Sequence, residues 1–139
     1  MDPETAHAMP LPEPTPVSAP YWQSLRQHRI EIQYSPSSKR YVFYPRMLAP
    51  GTLVDDLEWR EIDGAGTVFT FTVAERPTGP PWADALPQLL AVVEWDVGPR
   101  VSTELVEVKP EDIRIGMRVT PVFHDVPDTD VTLLRYRPA

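Results

Sequence analysis

The stretch Gly64-Ala65-Gly66-Thr67-Val68-Phe69-Thr70-Phe71-Thr72-Val73 decides the fold. Its glycines permit a bend, and the residues after them are β-branched or aromatic, the composition that fits a pleated, half-buried surface. Period-two alternation puts Phe69, Phe71 and Val73 on one face and Val68, Thr70 and Thr72 on the other. Further strands are expected downstream. A proline-rich loop, Arg76 to Pro87, leads to a strand at Leu89 to Asp96, with Leu89, Ala91, Val93 and Trp95 on its inner face. Gly98-Pro99 turns the chain into Arg100 to Val106. Pro110-Glu111-Asp112-Ile113 has proline at a helix start and acids in the first turn, so one helical turn is expected there. Arg118 to Phe123 and Val131 to Tyr136 complete the set. Five strands with a short helical element between the third and fourth match an OB-fold barrel, whereas an immunoglobulin-like sandwich needs about seven.

Upstream, Ile30-Glu31-Ile32-Gln33-Tyr34 alternates apolar and polar, and Tyr41-Val42-Phe43-Tyr44 comes after a turn-like Ser35-Pro36-Ser37-Ser38-Lys39-Arg40. These predict a small hairpin. Before it, Pro20 can open a short helix through His28, with Trp22, Leu25 and Tyr21 toward one face. Residues up to Pro20 hold six of the chain's 18 prolines and read as an extended arm. The expected fold is therefore mainly β. It consists of a flexible arm over 1–19, a helix plus hairpin over 20–54, and an OB-fold domain over 55–139.

Composition narrows the chemistry. In 139 residues, 18 prolines far exceed the average usage of about 5%, which excludes a helix bundle. Cysteine is absent, removing disulfides, thiolate metal sites and a cysteine nucleophile. A net charge of −7 disfavours a phosphate backbone as partner. The longest apolar run, Leu89 to Val93, is far short of the about 20 residues of a membrane span. The start, Met1-Asp2-Pro3-Glu4, lacks the pattern of a secretory signal, so a soluble cytoplasmic protein is expected.

No catalytic constellation stands out. His7, His28 and His124 have no metal-ligand spacing. His124-Asp125 makes a poor dyad because adjacent strand residues point to opposite faces. Glu94 and Asp96 share a face and could form a carboxylate pair, but a solvated outer face explains them more simply. No G-x-S-x-G elbow or phosphate-cradling loop occurs, and Gly64-Ala65-Gly66 precedes a strand where a dinucleotide fingerprint requires a helix.

Taken in order, Pro20-Tyr21-Trp22, Gln33, Phe43-Tyr44-Pro45-Arg46, Gly64 to Val73, Arg76-Pro77, Val92-Val93-Glu94 and Pro110 to Met117 closely resemble the acyl-CoA-associated OB-fold family catalogued as domain of unknown function thirty-five. The resemblance covers Pro14 to Pro138. It implies a short helix, a rubredoxin-like zinc ribbon and an OB-fold. It also implies a non-catalytic accessory role beside thiolase-like enzymes, hydroxymethylglutaryl-CoA synthases, aldolases acting on acyl-CoA, or hydratases, with a CoA thioester bound or passed at a shared site. Family ribbons carry two Cys-x-x-Cys knuckles, and their slots fall here on Ser35, Ser38, Ala49 and Thr52. None is a thiolate or imidazole, so zinc is not expected. The expected replacement is packing by Tyr34, Tyr41, Phe43 and Tyr44.

The loop from Arg76 joins the first two barrel strands, where OB-folds often contact ligands. Arg76 is suited to a phosphate or carboxylate, and Trp82 to an adenine, a pantetheine arm or a partner. The bland alternative is that Trp82 caps the barrel. Arg46 with Tyr44, at the ribbon–barrel seam, is a second candidate, and Trp22 a third, as partner contact or as the helix's own anchor. Single-stranded nucleic-acid binding is the alternative function, opposed by the acidic total.

Overall fold

A computed structural model describes residues 10–77 and 79–139. The start of the expected arm and Thr78 of the Arg76–Pro87 loop lie outside the described residues. Helix α1 (Ala19–Arg26) has Pro20 in its first turn, where a missing N–H costs nothing. It ends on a Schellman-type reversal. His28 sits at φ 57, its N–H donates to the Leu25 carbonyl, and the Arg29 N–H reaches back to Ser24. Tyr21 and Leu25 are buried on the inner face. Between them Ser24 donates to the Tyr21 carbonyl at 2.8 Å and accepts the Glu31 N–H at 3.1 Å, stapling the helix to the next strand.

Strands β1 (Ile30–Ser35), β2 (Arg40–Val42) and β3 (Glu58–Ile62) form one antiparallel sheet, order β2-β1-β3. Only the hairpin β1–β2 was legible from local pattern. The acidic segment Asp55–Asp63, grouped by sequence with the barrel, contributes β3 to this small sheet, with Ile32 opposite Arg60 and Tyr34 opposite Glu58. Three of its five residues, Glu58, Arg60 and Glu61, are charged and exposed, while Ile62 is buried and Trp59 packs partly against the core, which marks an outer strand.

The second sheet runs β6-β5-β4-β7-β8, all antiparallel neighbours: β4 (Gly66–Ala74), β5 (Gln88–Trp95), β6 (Arg100–Glu104), β7 (Arg118–Asp125) and β8 (Thr132–Pro138). A single parallel bridge, Leu105 to Tyr136, joins its two edges and curls it into the five-stranded OB barrel, nearly closed. The turn expected at Pro110 is a 3₁₀ turn, Pro110–Asp112, lying between the third and fourth barrel strands.

The strand that decides the fold differs from strict alternation at one point. A bulge between Val68 and Thr70 inserts one residue, so Val68 faces the core while Phe69, expected with Phe71 and Val73, turns outward and is 45% exposed. Beyond the bulge Phe71 and Val73 pack against the core as expected. Gly66 is needed because a Cβ there would sit 2.4 Å from the Glu94 carbonyl oxygen of β5. Leu89, Ala91, Val93 and Trp95 are all buried, as their period-two spacing requires.

One core serves both parts. Tyr21, Leu25, Ile30, Ile32 and Ile62 from the helix and small sheet are continuous with Val68, Val93, Trp95, Val119 and Tyr136 of the barrel. Phe43 clasps the seam, 5.2 Å from Tyr21 and 5.1 Å from Trp95, both edge-on. No helix among the described residues is long and apolar enough to cross a membrane.

Candidate functional site at the seam of the two sheets

The four slots of the two knuckles do not carry a zinc donor set. Ser35 is fully buried, and its hydroxyl lies 2.9 Å from that of Ser38 and donates to Asp56 Oδ1 at 2.8 Å. The Ser37 backbone N–H donates to Asp56 Oδ2 at 2.9 Å. Ala49 presents only a buried methyl, with its N–H on the Val54 carbonyl and its own carbonyl accepting from Leu53. Thr52 accepts the Val54 N–H. Two hydroxyls, a methyl and a threonine do not fit zinc, which takes thiolate, imidazole or carboxylate ligands. The first knuckle is instead closed by a carboxylate. Hydrogen bonds from Ser37, then Ser35, hold the Asp56 carboxyl below its ordinary pKa.

The expected aromatic replacement is present as well. Tyr34 and Tyr41 pair across β1 and β2 at 4.8 Å, and Phe43 meets Tyr44 at 4.4 Å. Such pairs contribute about 0.5–1.5 kcal/mol each, and a hydrogen bond about 1 kcal/mol net. Against roughly 10–16 kcal/mol from a structural zinc, neither suffices. The larger share falls to the module's contribution to the common core, at about 1.5–3 kcal/mol for each fully buried side chain such as Leu25, Ile30 or Ile32.

Beside this knuckle lies a groove of about 830 Å³ between the small sheet and the β5–β6 turn. Its walls include Tyr34, Tyr41, Phe43 and Pro99, and its cations are Lys39, Arg40 and Arg46. Arg46 is placed by a residue far away in sequence. The Gln33 side chain, 5% exposed, accepts the Arg46 backbone N–H and donates to the Arg46 carbonyl, each at 2.7 Å. A buried amide with both ends bonded to one residue fixes that residue's backbone and leaves its guanidinium outside. Beyond Arg46 the chain exposes Met47, Leu48, Leu53 and Val54, with Tyr44 at the near end.

The other sequence candidates fall elsewhere. Arg76 is exposed, and Trp82, in the 3₁₀ turn Pro80–Ala85, is half-buried with its ring against Gly79; neither lines the groove. Trp22 also stands apart, in a crevice with Pro12, Pro14 and Asp130 to Thr132, so its neighbours include the chain's own arm. Sequence reading found Arg46 and Tyr44, met Gln33 only as part of the resemblance, and passed over Lys39, Arg40 and Asp56. The first two looked like turn residues. Gln33 and Asp56 act on partners 13 and 21 positions away, which no local pattern reveals.

Carboxylates elsewhere are engaged. Asp96 forms two bonds to Arg118, at 2.7 and 2.8 Å, and this partner holds its carboxyl below the usual range. Glu94 pairs with Arg100 at 2.9 Å. Each thus has an arginine of its own, as a solvated outer face implies. Asp125 turns to His28, 97 positions away, at 3.0 Å, and to the Thr132 hydroxyl at 2.6 Å. Thr132 first, then His28, lower its pKa. The outer barrel face on which OB-folds hold oligonucleotides is lined by Thr70, Thr72, Leu90, Val92, Ser102 and Thr103, with no cation among them. The nearby Phe69 ring is covered by Arg100 at 3.7 Å.

Comparison with known proteins agrees with this geometry. Residues 59–124 match the family described as the C-terminal OB-fold domain of ChsH2. A probable enoyl-CoA hydratase alpha subunit from Thermomonospora curvata is 32% identical over 86% of this chain, and the chain spans only 36% of its length. A DUF35 domain-containing scaffold protein from Methanothermobacter thermautotrophicus is 33% identical over 61% of this chain and 65% of its own. Among solved structures, a chain of the Ltp2-ChsH2(DUF35) aldolase superposes with a TM-score of 0.81 at 30% identity, covering 92% of this chain and 98% of that one. With helix, small sheet and barrel all matched along nearly the whole of that solved chain, this protein belongs to the DUF35 OB-fold family.

Proposed function

We propose that the chain is a non-catalytic accessory subunit that docks on an acyl-CoA-processing enzyme of the thiolase superfamily and helps hold the CoA thioester between the two. The observation that carries this reading is the exposed apolar segment after Arg46, in which Met47 is 76% and Leu53 70% exposed. Four exposed apolar side chains within eight residues, Met47, Leu48, Leu53 and Val54, on a small acidic protein suit an interaction surface. The engaged state of Asp96, Glu94 and Asp125 supports an accessory part, because an acid–base catalyst needs a group poised near neutrality. Tyr21 and Tyr136, whose pKa values burial raises, offer none either. The names of similar proteins, a scaffold protein and an aldolase complex, point the same way.

A hydratase partner is the second reading, favoured by the hydratase alpha subunit among the relatives. Purification from the native host at moderate salt tests both. A thiolase-like enzyme in stoichiometric amount is the expected companion, and a hydratase would select the second reading. A chain that elutes alone, or that turns over acyl-CoA by itself, overturns the proposal.

A further inference from the structure

The strand arginines of the barrel, Arg100, Arg118, Arg135 and Arg137, each face a carboxylate. Lys39, Arg40 and Arg46 do not. Among the described residues no ion pair joins any of them to an acid, and all three line the same groove, whose lining contains no acidic side chain. The chain has a net charge of −7, so three unpaired cations would be readily neutralised by its own acids if the fold did not keep them apart. They are also held in place. Arg40 opens β2 in register with Ser35, whose hydroxyl is locked to Asp56. Lys39 precedes it at φ 54 in the tight turn, and Arg46 hangs from the backbone that Gln33 clamps.

We infer that this groove is a binding site for a small molecule carrying a phosphoryl group, a diphosphate best of all. Two guanidinium forks and one ammonium match the several oxygens of a diphosphate, whereas a monocarboxylate would leave cations unanswered. The rest of the ligand would lie along Tyr41 and Phe43 and under Pro50 and Pro99, an apolar wall that concentrates the field of the cations. A volume of about 830 Å³ has room for a nucleotide-sized molecule. The inference rests on the proposed function in that a CoA thioester carries such a diphosphate, but every residue it uses belongs to this chain, so binding by the isolated chain is read separately from co-elution with an enzyme.

Titration of the isolated full-length chain with inorganic pyrophosphate and with ADP, monitored by amide chemical shifts, tests it. Saturable binding is expected, with shifts concentrated at residues 39–42, 46 and 98, weakening as salt rises. Arg40→Ala and Arg46→Ala should each weaken binding about tenfold. Arg76→Ala, which removes an exposed arginine outside the groove, should leave it unchanged. Both groove arginines are exposed, so their variants keep the parent melting temperature. ADP binding more tightly than pyrophosphate would identify a nucleotide as the source of the phosphates, and equal binding a free oligophosphate; both outcomes support the site. Failure of both probes to saturate, or an Arg76→Ala loss equal to that of the groove variants, overturns it.

Discussion

Tyr136 shows how one buried hydroxyl ties distant parts of the barrel together. Its oxygen accepts the Trp95 indole N–H at 2.6 Å and donates to the Gly64 carbonyl at 2.7 Å, linking β8, β5 and the turn that enters β4. All three positions are buried, so no water can replace a lost partner. Tyr136→Phe keeps the ring and removes both bonds, leaving an indole donor and a carbonyl unpaired. A loss of about 2–3 kcal/mol is expected from urea unfolding. A loss under about 0.5 kcal/mol would show that packing alone holds the junction. Gly64→Ala should cost a similar amount for steric reasons. Gly64 has φ +76, and an added Cβ would meet Ile30 Cδ1 at 2.4 Å and Pro121 Cγ at 2.7 Å.

Between elements, the Ser35–Asp56 lock joins the β1–β2 turn to the segment leading into β3. Because folding lowers the Asp56 pKa, it favours the carboxylate, and the lock contributes stability above the ordinary aspartate value of about 3.9. That contribution disappears as pH falls from about 4 through the lowered folded value. Asp96 and Asp125 shift in the same direction and add to the same acid window. Asp56→Asn should therefore lower the urea midpoint at pH 7 and flatten its decline toward pH 3. Hydrogen exchange at the Ser37 and Ser38 amides should accelerate at neutral pH. An unchanged midpoint and slope would mean that the lock adds nothing. At this scale the sequence was most and least readable. The barrel strands were legible because turn residues bound them and one face of each alternates apolar side chains, as at Leu89, Ala91, Val93 and Trp95. The β4 bulge was not, since a one-residue insertion leaves composition untouched and appears only when Val68 and Thr70 are paired with β5. β3 was hidden by its charges, which face solvent and Tyr34, where Arg60 lies 3.8 Å above the ring. The groove was half legible: Arg46 stood out beside Pro45, while Lys39 and Arg40 acquire meaning only once the β5–β6 turn is folded against them.

The whole molecule divides its surface unequally. On the barrel Glu94, Asp96 and Glu104 are each tied to an arginine, and the outer face on which OB-folds hold oligonucleotides has no cation in its lining. The unpaired cations of the groove are followed directly, after Arg46, by the exposed apolar side chains Met47, Leu48, Leu53 and Val54. That adjacency suits a subunit whose partner covers those side chains and closes over whatever the groove holds. Met47→Asp and Leu53→Asp test it at the scale of the assembly. Both side chains are mostly exposed, so monomer stability should stay within about 0.5 kcal/mol of the parent. Leu53 also sits at φ 58, a conformation aspartate accepts more readily than leucine. Burying a carboxylate in an apolar contact is costly, and either substitution should abolish co-elution with the partner enzyme. Because the groove is untouched, pyrophosphate shifts should persist in both variants. Retained co-elution would place the docking surface elsewhere, while lost co-elution with an intact fold and an intact groove would separate holding the partner from holding the ligand.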